Sequence, residues 1–380
     1  MGTHAWTNWE AYSAGKAERE NVDDELHSDR SFIGGPVSFG PYKLSIVIRN
    51  NSLIGPAVIL SGAVHADLTP QIVQDGALVP PDSNSYHGGT MSDEIAALIS
   101  LALGVRLRVA GTRRLSGIHE PGLDQHPIYL DVPRLAHPGP TGREQLPSAM
   151  ARPSDLRDLS RLETFYRLSE TDQVELIRAA RAYSTAVWWA NEDANQAWLQ
   201  LVTAVEIAAK HRQRSSVSAT DLLEDMWPEV WRDLALADKE IRQNVAKELA
   251  PLVRSARAFR DFLTDCAPPP PAQRPEHSSL DWSGMRRHAK VIYEHRSKAL
   301  HAGKPFPMPM QDPPSVESAG AVQEVPWGLN AGGLGGVWDA SEFPMLLQTF
   351  EHIARGALLT WWDELPVQAP DCRTNCRLSS

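Results

Sequence analysis

From about residue 153 onward the chain repeats apolar residues at three- and four-residue spacing almost without a break, a pattern that a packed set of helices buries. The stretches fall near residues 171–190, 193–211, 219–234, 237–264, 280–302 and 341–364. Two segments interrupt them. Pro268–Pro271 is a stiff polyproline connector. Residues 303–340 hold six prolines and seven glycines, among them Gly332, Gly333, Gly335 and Gly336. No Lys-Ser/Thr follows those glycines, so they suit a flexible loop better than a phosphate cradle.

The text before residue 153 has a different character. Residues 1–30 are polar and carry the acidic run Asp23, Asp24 and Glu25. They suggest a mobile leader or peripheral arm, with Trp6, Trp9 and Tyr12 left to dock. Lys43–Arg49 and Ala57–Val64 are β-branched runs separated by the turn residues Asn50, Asn51, Gly55 and Pro56. Ser92 is the expected cap of a helix that Gly104 ends. Val105–Ala110 alternates so that Arg106 and Arg108 form a basic outer face, and Arg113 and Arg114 follow. Residues 117–153, rich in Pro, Gly and His, suit a linker. The expected architecture is therefore mainly α: a polar leader at 1–30, a smaller α+β domain at 31–152 for recognition or regulation, and a helical domain at 153–380 with its loop at 303–340.

Composition narrows the function. A length of 380 residues fits two domains. No stretch approaches the roughly 18 apolar residues of a membrane span, and the N-terminus has no apolar signal core, so a cytoplasmic protein with no membrane partner is expected. Cys266, Cys372 and Cys376 cannot build a disulfide framework, and Cys372-x3-Cys376 has no second pair to complete a zinc site. A net charge of −10 argues against sequence-blind coating of nucleic acid but leaves room for a local basic site.

The residues with chemical promise lie on the helix around Arg296. On a helical wheel Met285, Ala289, Ile292 and Ala299 form one apolar stripe, and Arg296 falls in its middle. A guanidinium there needs a carboxylate partner, a bound anion or a wet cleft. Glu206, on the flank of the stripe Trp198, Leu201, Val202, Val205 and Ala209, is a candidate partner that would orient the guanidinium without using all five of its donors; the alternatives are a pair that only fixes helix packing and a Glu206 that is a solvated surface acid. His301 sits in the last turn before Gly303, where a cation suits the helix dipole. It stands about 140° around the helix from Arg296, so the two share no face on a single ideal helix. His288 and His295 lie on one face and make a metal pair conceivable, but without a His-Glu-x-x-His pattern. Tyr293 is expected to pack, and Trp188-Trp189 and Trp361-Trp362 to serve core or interface. Arg106, Arg108, Arg113, Arg114, Lys298 and Lys304 could contact an RNA backbone or simply face solvent.

The segment Tyr293-Glu294-His295-Arg296-Ser297-Lys298-Ala299-Leu300-His301-Ala302-Gly303 resembles the signature of HEPN domains (higher eukaryotes and prokaryotes nucleotide-binding), especially the Apea-like group. In that signature an arginine, a polar residue and three variable residues precede a histidine, late in a helical bundle. Arg296, Ser297 and His301 match it in order, Glu206 resembles the acidic residue of an earlier helix, and the last helical stretch resembles the bundle's closing helix. The resemblance spans roughly residues 160–364. It implies metal-independent cleavage of RNA, commonly by a homodimer, with no cofactor: the ribose 2′-hydroxyl attacks the adjacent phosphate, His301 moves a proton, Arg296 stabilises phosphorane charge, and Ser297 supports either. The products would carry 2′,3′-cyclic phosphate and 5′-hydroxyl ends. It further implies phage defence or a toxin role, with an antitoxin or regulatory partner. The alternative is a non-catalytic HEPN module that binds nucleotide, RNA or protein and dimerises.

Overall fold

The computed structural model describes residues 3–48, 55–68, 73–74, 77–78, 89–117, 127–135, 143–147, 153–213, 218–317, 320–333 and 335–368. Arg49, the turn residues Asn50 and Asn51, Cys372, Cys376 and much of the expected linker lie outside them. An antiparallel sheet of six strands occupies the N-terminal region and helices follow it. The chain divides into two compact units. One comprises Met1–Gly142, Leu146–Glu192 and Trp362–Ser380; the other comprises Arg143–Gln145 and Asp193–Trp361. The boundary expected near residue 152 thus falls at about residue 193, and the helix Glu170–Trp189 belongs with the sheet.

In the first unit the strands are β1 (Glu20–Ser28), β2 (Val37–Phe39), β3 (Tyr42–Ile46), β4 (Gly55–Val64), β5 (Arg108–Ser116) and β6 (Ile128–Tyr129), in the order β2-β3-β4-β1-β5-β6. The expected leader is therefore wrong: its second half is a central strand, paired with β4 on one side and β5 on the other. Its first half is helix α1 (His4–Ser13), held by buried polar groups. The Glu94 carboxylate, fully buried, accepts the backbone N–H groups of His4 (2.9 Å) and Ala5 (2.7 Å) at the start of α1. An acid suits that position because the first N–H groups of a helix have no partner within it. Asn8 donates to the Ala63 carbonyl and accepts from the backbone N–H of His65, while Trp9 stacks on Tyr166 at 4.6 Å.

Helix α2 (Met91–Leu103) starts two residues earlier than a cap at Ser92 would place it. Thr90 caps it in a reciprocal box with Asp93, which satisfies two backbone donors at once. Ser92 is instead buried inside the first turn and donates its hydroxyl to Asp24. Gly104 closes the helix in the left-handed region at φ 66°, as its position suggests. Helix α3 (Glu170–Trp189) packs against α2.

The basic outer face is also corrected. The strand begins at Arg108, not Val105, and Val105, Arg106 and Leu107 are all buried ahead of it. Arg106 donates from Nε to the Val187 carbonyl at 2.8 Å and from Nη1 to Asp29 at 2.7 Å. Arg114 bonds Asp23 at 2.6 Å, and Arg113 lies 3.6 Å from Glu25. The acids of β1 are thus matched by the arginines of its neighbour β5. Arg108 is exposed and rests near the rings of Trp188 and Trp189, at 5.8 and 5.7 Å from their centroids.

The second unit contains α4 (Ala194–Arg212), α5 (Ala219–Met226), α6 (Pro228–Asp233), α7 (Lys239–Cys266) and α8 (Met285–Ala302), and α9 (Leu347–Glu364) closes the described fold. The single helix expected over 219–234 breaks at Trp227, because Pro228 lacks an N–H and starts a new helix. Residues 303–340 are not the loose segment their composition suggests. Phe306 stacks on Trp198 at 5.2 Å, and the Trp198 indole donates to the Met310 carbonyl at 3.0 Å. Buried Glu324 accepts two bonds from Arg274, and strands β7 (Asn330–Gly333) and β8 (Gly336–Asp339) form a hairpin. Gly335 in its turn has φ 80°, a conformation side-chain-bearing residues avoid.

The sheet predicts a contrast between two arginines. Arg106→Ala strands the Asp29 carboxylate, whose side chain is only 7% exposed, and should cost about 3–5 kcal/mol. Arg113→Ala breaks a pair whose arginine is 54% exposed and should cost at most about 1 kcal/mol. Urea denaturation of the two variants measures the difference, and equal midpoints would refute the buried pair.

Candidate active site

Helix α8 turns its buried face to Met285, His288, Ala289, Ile292 and His295. The stripe is rotated from the expected one: two histidines occupy it, and Arg296 lies at its edge with a side chain 22% exposed. Backbone carbonyls make the histidines tolerable there. His288 Nε2–H donates to the Asp281 carbonyl at 2.9 Å, and His295 Nε2–H donates to the Glu342 carbonyl at 2.6 Å. A carbonyl only accepts, so each ring carries its proton on Nε2. Burial pushes both pKa values below the ordinary histidine value. Both Nε2 atoms are thus taken by carbonyls, and among the described residues no group of three or more His, Cys, Asp or Glu side chains is arranged to hold an ion.

The expected Glu206–Arg296 contact is present. Arg296 Nη2 donates to Glu206 Oε2 at 2.7 Å, joining α8 to α4. The guanidinium lies over the Tyr293 ring, 5.6 Å from its centroid, and Tyr293 in turn meets Phe259 at 5.3 Å. Arg296 Nε is buried without a partner. Burial raises the Glu206 carboxyl above its ordinary value, and the Arg296 charge and the nearby Tyr293 hydroxyl recover only part of that rise. The Tyr293 hydroxyl is pushed up to about 12, first by burial and then by the Glu206 charge, against a smaller opposite pull from Ser255 on α7. Three helices therefore meet in one polar cluster of Glu206, Ser255, Tyr293 and Arg296.

His301 is exposed in the last turn of α8, ahead of the left-handed Gly303 at φ 63°. Among the described residues no hydrogen bond or ion pair joins it to Arg296. Ser297 is half-buried, and Lys298 and Lys304 are exposed on the same end of the helix. Arg106, Arg108, Arg113 and Arg114 belong to the other unit, where Arg106, Arg113 and Arg114 serve the ion pairs already described. Tyr293 is the member that sequence reasoning assigned only to packing; its spacing of three from Arg296 is the signal, since such residues are neighbours on a helix. A second network was not foreseen at all. Asp225 on α5 and Asp261 on α7 bind Arg257, Arg260 and Arg286, with Arg286 Nη2 at 2.9 Å from Asp225 and Arg257 Nε at 3.1 Å from Asp261. Burial works to raise the Asp225 pKa, but Arg260, Arg286 and Arg257 together hold it below its ordinary value.

Glu206→Ala leaves Arg296 without its counter-charge. At 22% and 17% side-chain exposure, water relieves part of the penalty. The expected loss is roughly 1–3 kcal/mol, below the ~3–5 of a fully enclosed pair. A denaturant midpoint equal to that of the parent protein would show that the pair carries no stability.

The histidines set a pH dependence. Their folded pKa values lie below the ordinary value of 6.5, so between that value and the folded pKa the unfolded chain binds more protons. Stability contributed by the neutral rings is complete above the unfolded pKa and is lost as pH falls through the window beneath it. His295→Gln, which retains a donor for the Glu342 carbonyl but does not titrate, should flatten the fall in melting temperature between about pH 7 and about pH 5.5. An unchanged slope would remove His295 as a source of it.

Compared with family models, with curated proteins and with solved structures, the chain matches none.

Proposed function

We propose that the helical unit is a metal-independent endoribonuclease of the HEPN type, acting as a homodimer. The observation that carries this reading is the state of α8: an arginine anchored through Nη2 by Glu206, followed five residues later by an exposed histidine at the helix end. Anchoring through one nitrogen leaves other guanidinium donors for an anion. In the reaction the ribose 2′-oxygen attacks the adjacent phosphorus as it loses its proton, and the bond to the 5′-oxygen breaks as that oxygen gains one. A cyclic 2′,3′-phosphate and a 5′-hydroxyl result. His301 moves a proton as general base or acid, Arg296 stabilises charge on the phosphorane oxygens, and Ser297 supports the phosphate or the imidazole. Lys298 and Lys304 contact the RNA backbone.

The separation of Arg296 from His301 on one helix is why a dimer belongs to the proposal. Two copies of residues 285–303 about a two-fold axis bring two arginines and two histidines to one cleft. The sheet-bearing unit then serves as the recognition or regulatory part, and a cytoplasmic role as a toxin or in phage defence, restrained by an antitoxin or regulatory partner, fits such a nuclease. The same separation favours a second reading, a non-catalytic HEPN module that binds RNA or protein through this face.

Purified protein incubated with RNA in EDTA tests both. Cleavage should persist, require a 2′-hydroxyl, and fall by about 10²–10⁴-fold in Arg296→Ala and in His301→Ala, with the circular dichroism of each unchanged. A mixture of the two variants should regain part of the activity if one site draws on both subunits. Cleavage lost in EDTA and restored by a divalent ion would overturn the mechanism; RNA bound but never cut would establish the non-catalytic reading.

A further inference from the structure

The cluster behind Arg296 contains more than its counter-ion. Tyr293 stands one helical turn before Arg296 on α8 and touches it in two ways. Its ring lies beneath the guanidinium at 5.6 Å from the centroid, a cation–π distance. Its hydroxyl is close enough to Glu206, the acid that binds Arg296 Nη2 at 2.7 Å, for each to shift the other's pKa. The ring is itself braced by Phe259 of α7 at 5.3 Å, and Ser255 of the same helix faces the hydroxyl. A tyrosine that only filled space would need none of these polar relations.

We propose that Tyr293 is a positioning residue for Arg296, its ring carrying the guanidinium and its hydroxyl steadying the Glu206 carboxylate that fixes it. The proposal rests on the nuclease reading for its consequence in catalysis. Tyr293 meets no substrate; it acts through Arg296. The ring backs the guanidinium on one side and Glu206 holds it through Nη2, so the remaining donors have a set direction. The effect of the hydroxyl depends on charge. A hydrogen bond to the ionised carboxylate favours that form, opposing the rise that burial imposes. Among the described residues, the ionisable groups that act on Glu206 are Arg296 and Tyr293, both on α8. Without the hydroxyl, Glu206 takes up its proton at higher pH, and Arg296 loses its charged anchor there.

Tyr293→Phe keeps the ring and removes the hydroxyl; Tyr293→Leu removes both. In the full chain labelled with carboxyl ¹³C-glutamate, and with Glu206→Gln to assign the signal, Glu206 should titrate at higher pH in Tyr293→Phe than in the parent. The acid limb of RNA cleavage should move up with it, and the rate on that limb should fall by about tenfold, as expected for one hydrogen bond to a charged group. Tyr293→Leu should slow cleavage at every pH. Identical Glu206 titration in the parent and Tyr293→Phe would overturn the proposal, as would a displaced titration accompanied by an unmoved acid limb. A parent protein that cuts no RNA yet shows the displaced titration rejects the nuclease reading and supports the positioning of Arg296 by Tyr293.

Discussion

The ion pair between Arg296 and Glu206 is the constraint on which the candidate site depends. Taking a guanidinium and a carboxylate out of water is costly, and attraction between them offsets that cost only when their geometry is fixed. Here the two helices α4 and α8 supply the fixed geometry, and the Tyr293 ring lies 5.6 Å from the guanidinium. The compensation is incomplete: the Glu206 carboxyl stays raised, and Arg296 Nε has no acceptor. A site built only for rigidity is better served by apolar packing. On the proposed reading, the exposed part of the guanidinium is what meets the phosphate.

The two units handle buried charge in different ways. In the sheet, acids of one strand face arginines of the next, as with Asp23 and Arg114, so the charges are settled by strand pairing. In the helical unit, Asp225 and Asp261 are shared among Arg257, Arg260 and Arg286, a network that ties α5, α7 and α8. The histidines of α8 use a third device, neutral rings donating to carbonyls outside the helix. At Arg296 a charged pair stands five residues ahead of an exposed histidine at the helix end.

What could be seen in the sequence follows the range of the interactions involved. Helix spans rest on local periodicity, and 171–190 and 193–211 lie within about one residue of Glu170–Trp189 and Ala194–Arg212. The partner of Arg296 was legible because two apolar stripes, each with a charge at or beside it, have few ways to meet. The fate of residues 20–28 was not legible, because an acidic run is buried or solvated according to strands that come much later in the chain. The rotation of the α8 stripe was hidden for the same reason: His295 is a core residue only because the Glu342 carbonyl comes to meet it. The loop at 303–340 misled through composition, since its prolines and glycines say nothing of Phe306 and Glu324, which hold it in place.

The position of β1 has a consequence for the nascent chain. It is made before both of its neighbours, Gly55–Val64 and Arg108–Ser116, so the middle of the sheet stays open until the last of these has been synthesised. Pairings of such long sequence separation close slowly, and an open strand is a template for unwanted association between chains. The acids at positions 23–25 bear on that hazard, because charge on an unpaired strand opposes its association with another. Once the arginines at 113 and 114 are made, Asp23 and Glu25 are the charges that pair with them, so the run that opposes association early has partners in the finished sheet.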